Sequence, residues 1–289
     1  DVLPSVRRHF YATLAAQRRI ELLRELRRVT TKSAEIGRAL LKAGEGARPD
    51  VLILEVEAKK VDIAYQNAMT SLAATRRQLA TAVGNPDLAI GLVVGDLGAP
   101  FPELDQLSVQ TDVTENNAEL AKADAEVRRT SLLVERAIVE PKPKINVMGG
   151  YQYQVEPLHN QAVFQFMMSV PLWDQNRGGI NAARANHLRA HADFEQTRLT
   201  LTDQATDALN RYRLASEQVR SYETELLPRT KESLELTQQL YEKGQADFLD
   251  VLAIQRTLQE VNINYIDALE SRAAAAADLG GLLQLEQFP

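Results

Sequence analysis

The sequence predicts a mainly α-helical chain: long antiparallel coiled-coil helices with one β-hairpin set among them. Three observations carry this expectation. Apolar residues recur at heptad spacing over long stretches, the period drops once to two, and the chain repeats itself without a gap at an offset of 200 residues.

Taken in order, a first helix is expected over 6–43. Leu22, Val29 and Ile36 recur every seven residues, as do Leu26, Ser33 and Leu40. Two such series, offset by three or four positions, predict a narrow coiled-coil seam. Gly44 and Gly46 interrupt the pattern. A second helix is expected from Asp50 to about Val83, with Val51, Ala58, Tyr65, Leu72 and Leu79 on one series and Leu54, Val61 and Ala68 on the other. At a rise of 1.5 Å per residue it would be about 50 Å long, too long for a compact globule to cover. The segment "GNPDLAIGLVVGDLGAPFPELDQL" (84–107) is rich in Gly and Pro and keeps no sustained period, so it reads as a connector with short elements. A third helix follows over 114–140 and is stopped by Pro141 and Pro143.

The period then changes. In "KINVMGGYQYQV" the apolar or aromatic positions are Ile145, Val147, Tyr151, Tyr153 and Val155, with Asn146, Gln152 and Gln154 between them. In "AVFQFMMSVPLW" Phe164, Phe166, Met168 and Val170 share one face, and Gln165 and Ser169 the other. These are two strands of about 11 residues joined by "EPLHNQ", near the length of a tilted membrane β-strand. An amphipathic hairpin lying on a soluble core has the same alternation. Helical patterning resumes after "PLWDQNRGGI" and persists to Lys243, with Pro228 expected to kink or break it. A last helix, from Asp250 to about Leu283, carries Val251, Leu258 and Tyr265 on one series and Ile254, Val261 and Ala268 on the other.

This last helix repeats the second. Gly44 aligns with Gly244, and Asp50-Val51-Leu52 with Asp250-Val251-Leu252. Val61, Ile63, Tyr65, Ala68, Ser71, Ala73, Ala74 and Leu79 each meet the same residue 200 positions on, as do Thr30, Ser33, Glu35 and Leu40. Heptads alone give some agreement, but not a shared Gly-to-Asp spacing in gapless register. Residue 1 corresponds to residue 201, so a complete first copy is expected to have its own incoming helix and β-hairpin ahead of residue 1. The sequence thus reads as N-terminally truncated.

Composition narrows the function classes. The net charge of −6, with basic residues spread along the helices, argues against binding nucleic acid. Cysteine is absent, which excludes disulfides, thiol catalysis and Cys-ligated zinc. No stretch is long and apolar enough for a transmembrane helix, and none reads as a signal peptide. There is no nucleophile–base pair, phosphate loop or carboxylate dyad, so neither enzyme activity nor a cofactor is expected.

The repeated plan resembles the TolC-like outer-membrane efflux channels, and the resemblance covers nearly the whole chain. It is carried by "YEKGQADFLDVLAIQRTL", "VERAIVEPKPKINVMGGYQYQ" and "SVPLWDQNRGGINAARA". The last phrase is most similar to the heavy-metal-efflux branch, the CzcC-type and CusC-type proteins. The resemblance implies a homotrimer that works with a periplasmic adaptor and an inner-membrane pump. Each full protomer would give four strands to an outer-membrane barrel and long helices to a periplasmic α-barrel. The implied organisation is a first coiled-coil hairpin over 1–83, an equatorial connector over 84–113, an incoming helix over 114–143, a membrane hairpin over 144–173, and a second long helix with its hairpin over 174–289. The competing reading is a periplasmic coiled-coil adaptor, but adaptors carry one coiled-coil hairpin flanked by lipoyl-like and barrel domains. A purely structural coiled-coil scaffold ranks third, because it would not need the strands.

Candidate site residues follow. Gly44 and Gly244 suit helix ends that need a positive φ, and Asp50 and Asp250 suit helix N-caps. The resemblance adds that these turns form a periplasmic gate, with Tyr241, Gly244 and Asp250 matching its motif in the second copy and Asp50 its counterpart in the first. Ala246 and Ala253 stand where family members can carry charged residues, which argues against a salt-bridged latch. Tyr151, Tyr153, Phe164, Phe166 and Trp173 are the candidate lipid-contacting aromatics of the hairpin. His187, His191 and Glu195 sit at i, i+4 and i+8, a spacing that can hold a metal but equally suits a solvated helix face.

Overall fold

The computed structural model describes residues 2–44, 47–99, 105–154, 159–170, 175–243, 245–246 and 248–284. Two compact units result: residues 1–113 together with 203–289, and residues 114–202.

In the larger unit α1 (Val2–Ala43) packs against α2 (Arg48–Ala82) and α7 (Phe248–Leu282), and α6 (Leu227–Glu242) packs on α7. The helices therefore lie in the order α2, α1, α7, α6. The second helix begins two residues ahead of Asp50. Ala47 is its N-cap and Pro49 stands in its first turn, where a fixed φ and a missing N–H cost nothing. On α2 the expected heptads supply most of the buried residues, Val51, Leu54, Val61, Ala68, Leu72 and Leu79; Ala58 and Tyr65 of the same series are half-buried, and Glu57 and Ala80 are buried outside it.

On α1 the seam differs from the expected one. Ala16, Ile20 and Leu23 pack against Ala68 and Leu72, and Gly37 lies under Leu54 and Val51, so close that a Cβ there would come within 2.8 Å of Leu54 Cδ1. Val29, Ile36 and Leu40, from the series read as the seam, are exposed. The reason is that α1 has two apolar stripes. One faces α2; the other, with Leu22, Leu26 and Val29, borders an open groove that also contacts α6 and α7. Periodicity finds a stripe but not the neighbour it serves.

The connector is tied to the helices by side-chain contacts. The buried Gln17 side chain donates from Nε2 to Val93 O at 2.8 Å and accepts from Val93 N–H at 2.9 Å, a two-point clasp that stands in for a strand partner. Leu97 enters a core of Ala15, Val219, Ile266, Ala268, Leu269 and Ala273. Helix α3 (Gln106–Asn116) then extends beyond the expected connector boundary at 113.

The smaller unit holds α4 (Ala118–Val139), β1 (Lys144–Gln154), β2 (His159–Ser169) and the first part of α5 (Arg177–Ser221). The expected helix over 114–140 is divided at Asn117, whose extended backbone ends α3 and whose Oδ1 caps α4 by accepting from Glu119 N–H at 2.9 Å. Strands β1 and β2 are 11 residues each and pair antiparallel; β2 starts at His159 rather than Ala162, because pairing with β1 continues through Gln161, Asn160 and His159 of the expected turn, and it ends at Ser169.

At the C-terminal end of α5 the chain passes through one π-helical turn, Tyr222–Leu226, before α6. Leu227 N–H donates to Tyr222 O, five residues back rather than four. Pro228 follows in the first turn of α6 and has no N–H to give Thr224 O. The expected break at Pro228 is thus a π-turn placed just ahead of it.

Candidate functional site

Two features of the sequence pointed to function: the tips of the helical hairpins and the faces of the β-hairpin.

At the first tip Gly44 has φ +81°, in the left-handed region, and its N–H donates to Leu41 O at 3.2 Å. Glycine takes this backbone without strain, as expected. Asp50 is not the N-cap: Ala47 is, and Asp50 is the third helical residue, where its charge complements the free N–H groups of the first turn. Asp250 has the same place in α7, which starts at Phe248. Both aspartates are exposed, as is Tyr241. Gly244 and Trp173 lie outside the described residues.

The strand register settles which hairpin residues share a face. Ile145 lies opposite Met168, Val147 opposite Phe166, Gly149 opposite Phe164, and Tyr151 opposite Ala162. One face therefore carries Ile145, Val147, Tyr151, Tyr153, Phe164, Phe166 and Met168. Phe164 is 84% exposed, Phe166 76% and Tyr151 69%. The other face is mixed: it carries Asn146, Gln152, Gln161 and Gln165 together with Met148, Val163 and Met167. This sheet has two strands only, so among the described residues both its edges lack a partner.

The metal candidates are not drawn together. Glu195 accepts from Arg198 Nε and Nη2 at 3.1 and 2.8 Å, and His187 Nδ1 lies 3.1 Å from Thr130 Oγ1. His191 is exposed, and among the described residues no cluster of three His, Asp or Glu is placed to hold a metal.

Other polar ties were not foreseen. Glu57, almost wholly buried on α2, lies 2.7 Å from Arg256 on α7, off line for a hydrogen bond but close enough to neutralise a carboxylate that would otherwise be costly there. An acid between Leu54 and Val61 on a buried stripe was the available signal. Asp278 of α7 joins Arg8 at 2.5 Å and Arg211 at 3.0 Å. Arg19 of α1 pairs with Asp267 and, at 3.5 Å, with Glu270. Tyr265 donates to Glu223 Oε1 at 2.7 Å, and burial, helped by that carboxylate, pushes its hydroxyl up to about 12.

Long paired helices and a two-stranded antiparallel hairpin make up the fold of a TolC-like channel protomer. Residues 110–283, more than half the chain, match the family described as Outer membrane efflux protein, and the chain belongs to that family. The cobalt-zinc-cadmium resistance protein CzcC of Cupriavidus metallidurans is 25% identical over 287 residues, which cover 98% of this chain and 68% of CzcC. Among solved structures, a membrane protein from Pseudomonas aeruginosa aligns with a TM-score of 0.79 at 20% identity, covering 98% of this chain and 68% of that one. The outer-membrane channel OprN aligns at 0.82 with 18% identity, over 100% and 67%. CusC aligns at 0.80 with 15% identity, over 98% and 68%. The chain thus spans about two-thirds of these relatives.

The chain is a component of an outer-membrane efflux channel, a transport conduit and not an enzyme. Family members act as trimeric channels in tripartite systems with an adaptor and an inner-membrane pump, and the match favours the channel over the coiled-coil adaptor. No helix among the described residues is long and apolar enough to cross a membrane.

Proposed function

We propose that this chain conducts its cargo through the outer membrane as part of a homotrimer, with the β-hairpin against lipid and the helical tips facing an adaptor and an inner-membrane pump. The observation that carries the reading is the hairpin's uncovered aromatic-rich face, which runs from Ile145 to Tyr153 on one strand and from Phe164 to Met168 on the other. Water gives those side chains no favourable neighbour, whereas a bilayer does. Lipid in turn tolerates no open strand edge, so hairpins must pair around a closed barrel. The likeness to CzcC supports divalent metal cations as the cargo.

On this reading the two tips form the periplasmic constriction. Asp250, in the first turn of α7, is exposed and close to its hairpin turn. Symmetry copies of it around an axis would repel one another and attract cations. Two measurements test the proposal. With Trp173→Phe as background, Phe166→Trp should be quenched by lipids brominated in the acyl chain, and no quenching would remove the hairpin from the bilayer. In planar bilayers Asp250→Ala should alter conductance or relieve block by divalent cations. An unchanged pore would return Asp250 to a role in helix stability alone.

A further inference from the structure

We propose that Met148 and Met167 form a soft-cation site on the mixed face of the β-hairpin, where two thioethers hold a monovalent ion such as silver(I) or copper(I). The proposal rests on the conduit reading for one point, that this face is turned to the lumen. It gives the lumen wall an affinity for a class of ion beyond the divalent cations.

The chain has four methionines, and three of them, Met148, Met167 and Met168, stand in the two strands. The register divides the three. Met168 lies opposite Ile145 on the aromatic-rich face, where a flexible apolar side chain is ordinary. Met148 lies opposite Gln165, and Met167 opposite Asn146. These four make a square on the mixed face, with the methionines on one diagonal and the amides on the other. Diagonal neighbours across an antiparallel pair are about 7–8 Å apart at the backbone, within reach of long side chains. Methionine has the rotatable bonds to close that gap. There is also room to turn: Gly150 stands next to Met148 on this face, and nothing lies within 4 Å of where a Cβ would be.

Met148 is 62% exposed and Met167 55%. Further copies of the chain would not cover them. Hairpins join through their strand edges, so closing the sheet leaves both faces as they are. The aromatic-rich face then takes the lipid, and the mixed face meets water.

The donor set decides the ion. Thioether sulfur is soft and uncharged and selects copper(I)-like ions, whereas zinc and cobalt take imidazole or carboxylate. The residues that border the square on this face are Lys144, Ser169, Gly150 and Val163, so no carboxylate or imidazole completes a site for a harder ion. The Lys144 charge, diagonal to Met167, repels a divalent ion twice as strongly as a monovalent one. No cysteine thiol competes anywhere in the chain.

The four methionines also supply the readout. With their methyl groups labelled with carbon-13, the chain in detergent should give four resonances, assigned by single Met→Leu variants that conserve volume. Silver(I) nitrate should shift Met148 and Met167 together at concentrations that leave Met69 and Met168 unmoved. Zinc(II) should shift none of them. Met148→Leu should weaken the silver response of Met167 about tenfold, because the second donor no longer adds its effective concentration. Met168→Leu, on the opposite face, should leave that response unchanged. Four methyls shifting in parallel, no silver shift at Met148 and Met167, or a Met167 response that survives Met148→Leu intact would each overturn the proposal. The titration reads no lipid, so it is separable from the bilayer test. Quenching of Phe166→Trp without the silver shifts removes the site and keeps the hairpin in the membrane; silver shifts without quenching keep the site and remove its place in a lumen.

Discussion

The two helical hairpins carry one residue plan but are packed to different degrees. In α1–α2 a seam runs from Ala16 to Gly37 against Val51 to Leu72. In α6–α7, Val251 and Leu252 are buried on α7 while no described side chain of α6 is. At the 200-residue offset, Gln17 is matched by Glu217, Arg28 by Pro228 and Gly37 by Thr237. A few substitutions on a common backbone plan therefore accompany the difference between a closely packed hairpin and a more exposed one.

The largest expected effect comes from exchanging the first of these pairs. In Gln17→Glu the carboxylate still accepts from Val93 N–H but cannot donate to Val93 O, and it puts a charge where the side chain is only 8% exposed. The loss should be about 3 kcal/mol in urea unfolding followed by circular dichroism. The mirrored swap, Glu217→Gln, removes an exposed ion pair to Arg220 and should stay within about 0.5 kcal/mol. Equal losses would mean that the connector clasp does not distinguish the two copies.

Exchanging Gly37 with its counterpart is the next step. Gly37→Thr drives a Cβ to 2.8 Å from Leu54 Cδ1, and should cost about 2 kcal/mol through overpacking despite the better helix propensity of threonine. Thr237→Gly, on the looser hairpin, should cost about 0.5 kcal/mol, the propensity difference alone. A comparable cost at both sites would show that α6 packs as tightly as α1 in solution.

Much of this plan is legible in the sequence. The strands were found in number and phase, though β2 is shifted three residues toward the turn, because an alternation of Ile145, Val147, Tyr151 and Tyr153 fixes both period and face, and the inverted phase of Phe164, Phe166 and Met168 fixes the partner's. On α2 the heptads named most of the buried residues, since that helix packs chiefly on α1; they missed Glu57, which faces Arg256 of α7. On α1 they failed because Leu22, Leu26 and Val29 form a second stripe, and spacing does not say which helix each stripe meets. Asp50 resembled a cap by residue type, but Pro49 starts the helix earlier. Gln17, Glu57 and Glu223 gain their roles from partners 76, 199 and 42 residues away, a separation that no local pattern encodes.

The smallest effect is also the most selective probe of the looser hairpin. Burial raises the Tyr265 hydroxyl first, and its hydrogen bond to Glu223 and the charge of that carboxylate raise it further, against the opposing pull of Arg272 and Arg18, to about 12 from 10.0. A tyrosine whose folded-state pKa exceeds its unfolded value contributes stability that is complete below the unfolded value and disappears as pH rises through the folded one. The window is therefore between pH 10 and about 12. In a tyrosinate absorbance titration one of the eight tyrosines should titrate late and vanish from that range in Tyr265→Phe. Tyr11 of α1 is also raised by burial, so the difference between protein and variant is the quantity to read. Wild-type stability should fall more steeply than that of Tyr265→Phe across the window. Glu223→Gln removes the carboxylate charge but not the burial, so the late midpoint should move down while staying above 10. If that midpoint does not move, the bond between the π-turn and α7 is absent in solution.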